Sequence, residues 1–171
     1  MQVYFSMFAR YNEWANRRLY EAAAALSDAD YRADRGAFFG SLHGTLNHVL
    51  VADRIWMSRF TGSGPTYSRL DEIPFQDFPP LRSAREAEDH RIVKWIDELQ
   101  PGALDGSFTY RTIVNPTEIT QQLTPALAHF FNHQTHHRGQ AHGILTALRG
   151  SSGAPSLDLI YFQRETGIGL P

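Results

Sequence analysis

The chain has 171 residues, 42% apolar and 20% charged, the make-up of one globular domain with a sizeable core and no room for two. Lys and Arg number 16 against 18 Asp and Glu, a formal net charge of −2 that leaves no basic footprint for nucleic acid and no polybasic membrane anchor. Cysteine is absent, which excludes disulfides, zinc–thiolate sites, iron–sulfur clusters and cysteine nucleophiles; any thiol chemistry needs a thiol brought from outside. No apolar run approaches the ~20 residues that span a bilayer. Polar and charged residues come early (Arg10, Asn12, Glu13), unlike a secretory signal. The expectation is one cytoplasmic domain over residues 1–171.

The first helix is expected from about Val3 to Leu26. Tyr4, Phe8, Tyr11, Ala15, Leu19, Ala22 and Leu26 share a stripe at helical spacing, and a run of alanines from Ala22 adds propensity. Ser27-Asp28-Ala29-Asp30 ends it and caps a short turn through Arg35. The second helix starts at Ser41, a good N-cap, and runs to about Phe60, apolar on most sides and so well buried. Thr61-Gly62-Ser63-Gly64-Pro65 stops it and lacks the Lys-Ser/Thr ending of a phosphate loop. Residues 66–80 carry Pro74, Pro79 and Pro80 and no period; they read as an ordered crossover. The third helix spans about Leu81 to Leu99, stopped by Pro101-Gly102.

Phe108–Val114 and Glu118–Gln122 are short and rich in β-branched or aromatic residues. With Asn115-Pro116 between them they predict a small β-hairpin. Thr124-Pro125 then reads as an N-cap followed by proline in the first turn. The fourth helix runs to Arg149 and ends at Gly150. Ser156 and Asp158 open a last short helix through about Glu165. Four long helices with one long crossover predict an all-α antiparallel four-helix bundle.

Chemistry concentrates in the histidines. His129, His133, His136, His137 and His142 lie in the fourth helix, His43 and His48 in the second. On a helical wheel Ala126, Phe130, His133, His137, Ala141, Ile144 and Leu148 form the apolar stripe. His133 and His137 are thus inward and four residues apart, a spacing at which two imidazoles can share one metal ion. His129 and His136 fall at the edge, and His142 points away. Two such histidines can also form a hydrogen-bonded core pair, but two buried imidazoles without a partner are costly. His48 is the third candidate, though it lies beside Ala52 and Ile55, off the densest stripe. Three neutral histidines would leave coordination positions open, as in catalytic sites, and suit zinc or nickel. Asp53 sits between Val49 and Trp56 on the densest apolar stripe. It either receives a ligand histidine's N–H or pairs with an arginine from another helix, such as Arg18 or Arg138. Trp14, Trp56 and Trp95 read as core. Arg17, Arg18, Arg32 and Arg35 are scattered and give nucleic-acid binding little support.

Asn132–Gln140, NHQTHHRGQ, resembles the signature of the DinB-like family of metal-binding four-helix bundles. Leu46–Trp56 (LNHVLVADRIW), Tyr11–Leu19 (YNEWANRRL) and Ser156–Glu165 (SLDLIYFQRE) resemble its second-helix, first-helix and C-terminal segments. The resemblance implies an up-up-down-down bundle, its long crossover between helices two and three, usually as a homodimer. It implies a divalent metal, zinc or nickel, on His48, His133 and His137. The family name records induction by DNA damage. Related branches include transferases that use bacillithiol or mycothiol and a mycothiol-dependent maleylpyruvate isomerase.

Two functional readings follow. One is a metal-dependent enzyme of thiol or hydrolytic chemistry, with an external low-molecular-weight thiol as cosubstrate. The other is a non-catalytic, metal-stabilised stress or ligand-binding protein, since no general base can be placed beside the histidines from sequence.

Overall fold

The structure, a computed structural model, describes residues 1–170. Its long helices are α1 (Gln2–Ala23), α3 (Leu42–Thr61), α4 (Phe78–Asp97) and α5 (Leu123–Arg149), with short α2 (Asp28–Arg32) and α6 (Leu159–Thr166). Strands β1 (Ser107–Arg111) and β2 (Glu118–Gln122) form the antiparallel hairpin, with Ser107 opposite Gln122 and Arg111 opposite Glu118. No helix among the described residues is long and apolar enough to cross a membrane.

Local chemistry explains most boundaries. The Ser41 hydroxyl accepts the Gly44 N–H at 3.1 Å, and Gly62 ends α3 in the left-handed conformation at φ 71°. Ser27 caps α2 through the Asp30 N–H. Two starts differ from expectation. Helix α4 begins at Phe78, not Leu81, because Pro79 and Pro80 occupy a first turn whose N–H groups have no intrahelical acceptor. Helix α5 begins at Leu123, so Thr124 is inside it; its hydroxyl donates to the Leu104 carbonyl at 2.7 Å instead of capping.

The four long helices form the bundle, α1 and α3 each packing on α4 and α5. Gln2 meets Leu99, Asn12 meets Asp89 and Tyr20 meets Phe78, so α1 and α4 are antiparallel. Asp53 meets Arg85 and Phe60 meets Trp95, so α3 and α4 are parallel. His48 meets His137 and Phe60 meets Phe130, so α5 opposes α3. The bundle, its hairpin and its crossover after the second long helix are as expected. The helix sense, however, is up-down-down-up rather than up-up-down-down. Sixteen residues, Gly62–Asp77, link α3 to α4. Such a segment reaches up to roughly 50 Å, more than the ~30 Å length of a 20-residue helix, so the chain can return and descend again in parallel.

Apolar packing divides along the bundle axis. At one end Leu19, Leu42, Leu46, Leu81 and Leu145 pack together; at the other Phe5, Met57, Ile92, Ile96 and Phe130 do. Between them lies a buried polar layer of Asn12, Asn16, Asp53, Arg85, Asp89 and Arg138. The inward stripe of α1 is therefore rotated from the expected one: Tyr4 is 62% exposed, while Phe5, Asn12 and Asn16 are buried. Trp14 is core, stacked on Tyr11 and edge-on to Phe162 of α6.

Candidate metal centre

His48 comes from the middle of α3, and His133 and His137 from successive turns of α5. Their ligand atoms all lie within 4.8 Å of one another. His137 Nε2 is 3.2 Å from His48 Nε2 and 3.1 Å from His133 Nε2. Nitrogens that share one ion at about 2.0–2.1 Å in a tetrahedral shell sit roughly 3.3 Å apart. The separations fit that donor set.

Proton placement strengthens the fit. The Leu70 carbonyl can only accept, so His48 Nδ1 donates to it, at 2.7 Å. Gln140 Oε1 lies 2.8 Å from His137 Nδ1 and accepts likewise. Both rings are then Nδ1–H tautomers, and their Nε2 lone pairs face each other. A proton on His133 Nε2 can serve His137, but nothing in the cluster serves the His48–His137 pair. A cation bound by all three removes that repulsion.

The imidazoles are also in the right charge state. Burial, opposed by the Leu70 carbonyl, pulls His48 down to about 4. Burial and the neighbouring His137 and His48 pull His133 down to about 3. Burial lowers His137 too, against the Gln140 hydrogen bond. Neutral imidazole is the ligating form. The cluster is capable of holding a divalent metal ion.

Phe39 closes one side. Its ring stacks on His48 with centroids 3.8 Å apart and planes 19° from parallel. The loop carrying it runs so close to α3 that a Cβ on Gly44 would collide with the Phe39 carbonyl. Glycine is required there by this approach, not by its dihedrals.

The remaining histidines separate as the wheel indicates. His129 and His136 are exposed at the edges of the cluster. His142 points away from it, its Nε2 donating to the Pro155 carbonyl at 2.9 Å. His43, on the same helix as His48, donates to the Phe75 carbonyl of the crossover at 3.0 Å and takes no part.

Asp53 departs from the expectation that it orients a ligand histidine. It is 1% exposed and bonds Arg85 Nη1 through Oδ2 at 2.6 Å. An ion pair with an arginine of another helix is thus what forms, but with Arg85 rather than Arg18 or Arg138. Arg18 turns outward to Glu165, and Arg138 bonds Asn12. The groups that hold the ligand rings, Leu70 and Gln140, were not read from sequence. A backbone carbonyl carries no residue signature. Gln140, three residues after His137 on one helix face, was legible in principle.

A model of the DinB family matches residues 1–151. The chain belongs to the DinB family. Protein DinB of Bacillus subtilis (strain 168) is 26% identical over an alignment of 171 residues, which covers 91% of this chain and 92% of the relative. No solved structure matches. The family match takes in α1 to α5, and so all three clustered histidines.

Proposed function

We propose that the chain is a divalent-metal-dependent DinB-family enzyme, with His48, His133 and His137 as the ligands and zinc or nickel as the ion. The observation that carries it is the inward convergence of three neutral Nε2 atoms, two of them fixed as acceptors by Leu70 and Gln140. Three protein ligands leave at least one position for a reactant, the pattern of catalytic sites. When bound, the ion would supply Lewis acidity and hold an external low-molecular-weight thiol in its deprotonated, nucleophilic form.

Thiol transfer is favoured over hydrolysis. Hydrolysis would draw on a carboxylate to relay the proton of a metal-held water, and the nearby carboxylates are paired: Asp53 with Arg85, Asp71 with Arg69 at 2.6 Å. A thiol at the ion would lose its proton outright and needs no such relay. The protein's part is then to hold three ligands rigidly, exclude water on the Phe39 side, and admit reactants from the other. The same shortage of a base supports the second reading, a non-catalytic metal-stabilised protein.

The unit proposed is the whole chain, 1–171, supported by the packing of α6 onto α1 through Phe162, Tyr11 and Trp14. A cytoplasmic homodimer is part of this reading and is tested by sedimentation. The deciding experiment adds bacillithiol or mycothiol, with a model alkylating electrophile, to metal-loaded protein. A change in the thiol's ultraviolet absorption and turnover of the electrophile support the enzyme. A raised melting temperature with neither supports the binding protein.

A further inference from the structure

A cavity of about 370 Å³ opens beside His48 and His133, between α3, α5 and the tip of the hairpin. Its walls are mainly apolar, with Ile55 and Trp56 from α3 and Ile113 and Val114 from the hairpin tip. One full charge lines it, Arg59. The Arg59 guanidinium lies 4.7 Å from the Trp56 ring centroid and 4.4 Å from that of Tyr110 on β1. Its Nη2 reaches the Arg111 carbonyl at 3.4 Å, which fixes the fork further. Among the described residues Arg59 has no carboxylate partner, and burial lowers its pKa with only Tyr110 opposing. By contrast Arg54, one turn away on α3, pairs with Glu88 at 3.5 Å, and Arg91 on α4 pairs with Glu88 at 2.9 Å. From α5, His129 also lines the cavity, and burial and Arg59 together lower its pKa.

A half-buried, rigidly stacked cation without a counter-ion on a mainly apolar wall is a recognition element for an anion. Its planar fork matches a carboxylate better than a phosphate dianion, which calls for more donors than one arginine brings. We propose that this cavity takes a small organic carboxylate, with the carboxylate on Arg59 and an apolar body between Trp56 and the hairpin tip. Its other end then lies at His48 and His133. In its consequence for catalysis the inference rests on the metal-enzyme reading, and it makes Arg59 the residue that selects the electrophilic substrate. It also gives the hairpin a task, as the wall that holds Arg59 in place.

The test uses calorimetry on full-length protein, as purified and after chelation. The probes are 3-phenylpropanoate and its neutral isostere 3-phenylpropanamide. In both preparations the carboxylate is expected to bind at least about ten-fold more tightly than the amide. Arg59→Gln abolishes that difference and leaves amide binding and metal content unchanged. Arg59→Lys, which keeps charge without the fork, retains part of it, and thermal melting confirms that both variants fold. The indole N–H resonance of Trp56, assigned with Trp56→Phe, moves on titration. Equal binding of the two probes, no saturation by about 10 mM, or a preference that survives in Arg59→Gln overturns the proposal. A preference found only in metal-loaded protein also overturns it, because the anion is then read by the ion, and the metal reading stands. A protein that takes no metal but keeps an Arg59-dependent preference shows the reverse: the subsite holds and the metal reading fails.

Discussion

Asp53 Oδ2 and Arg85 Nη1 meet at 2.6 Å across the interface of α3 and α4, both residues 1% exposed. The pair joins the two parallel helices at the polar layer. Arg85 also reaches Asp89 at 2.9 Å, so one guanidinium serves two carboxylates. Burial alone would lower Arg85, but Asp89 and Asp53 outweigh it and hold it raised. Burial pushes Asp53 up, and Asp89 up to about 6, against the same arginine.

Removing Arg85 should therefore be expensive. Arg85→Ala strands two buried carboxylates, and its expected cost is about 3–5 kcal/mol in urea unfolding. Asp53→Asn, which keeps shape and a hydrogen-bonding oxygen, is expected to cost less. Metal content should stay at wild-type level in Asp53→Asn, because Asp53 touches no ligand ring. Metal loss in that variant would return Asp53 to the metal site.

Metal stoichiometry tests the three ligands directly. Elemental mass spectrometry on untagged protein is expected to find about one ion per chain, and His137→Ala to lose it. His142→Ala, whose ring faces Pro155, should retain it. Wild-type protein that refuses added zinc and nickel would make the cluster a polar core.

Gln140 should matter through His137. Gln140→Ala removes the acceptor that holds the Nδ1–H tautomer. The expected result is a 10–100-fold loss of metal affinity, of the order seen when such outer partners are removed, with little change in melting of the metal-free protein. Unchanged affinity would show that helix packing alone orients the ring.

The pH dependence of the metal-free protein has a definite sign. His48 and His133 titrate near 6.5 when unfolded and at about 4 and about 3 when folded. Between those values the unfolded chain binds more protons, so stability falls as pH falls from about 6.5 towards 4. Asp89, raised to about 6, works in the opposite direction between about 4 and 6. Comparison with His133→Ala cancels the aspartate contribution. The variant's melting temperature is expected to fall less steeply over that window. Parallel curves would mean that His133 is not desolvated.

Bound metal should add a further acid loss at lower pH, since protons compete for the Nε2 lone pairs only as the folded rings titrate, at about 4 and about 3. The zinc-dependent rise in melting temperature is expected to hold from about pH 7 to about pH 5 and to be lost by about pH 3. A metal-dependent increment that persists at about pH 3 would place the ion on other ligands.

Sequence by itself determined the helices and the inward pair. Periodicity reports which face of a segment is buried, and the four-residue spacing puts His133 and His137 on one face of α5 whatever that face meets. The wheel set aside His142 for the same reason. Partners were another matter. His48 lay off the densest stripe of its helix, and only the resemblance to a family grouped it with His133 and His137. Asp53 was visibly misplaced on an apolar stripe, but its partner, Arg85, is 32 residues away. The helix sense depends on how a 16-residue crossover returns along the bundle. The Leu70 carbonyl, the stacked ring of Phe39 and the hairpin wall over Arg59 are contacts between segments that have no common period. Local patterning fixes orientation about a helix axis; which surfaces then meet is decided by chain connection and close packing, and only the tertiary structure contains that.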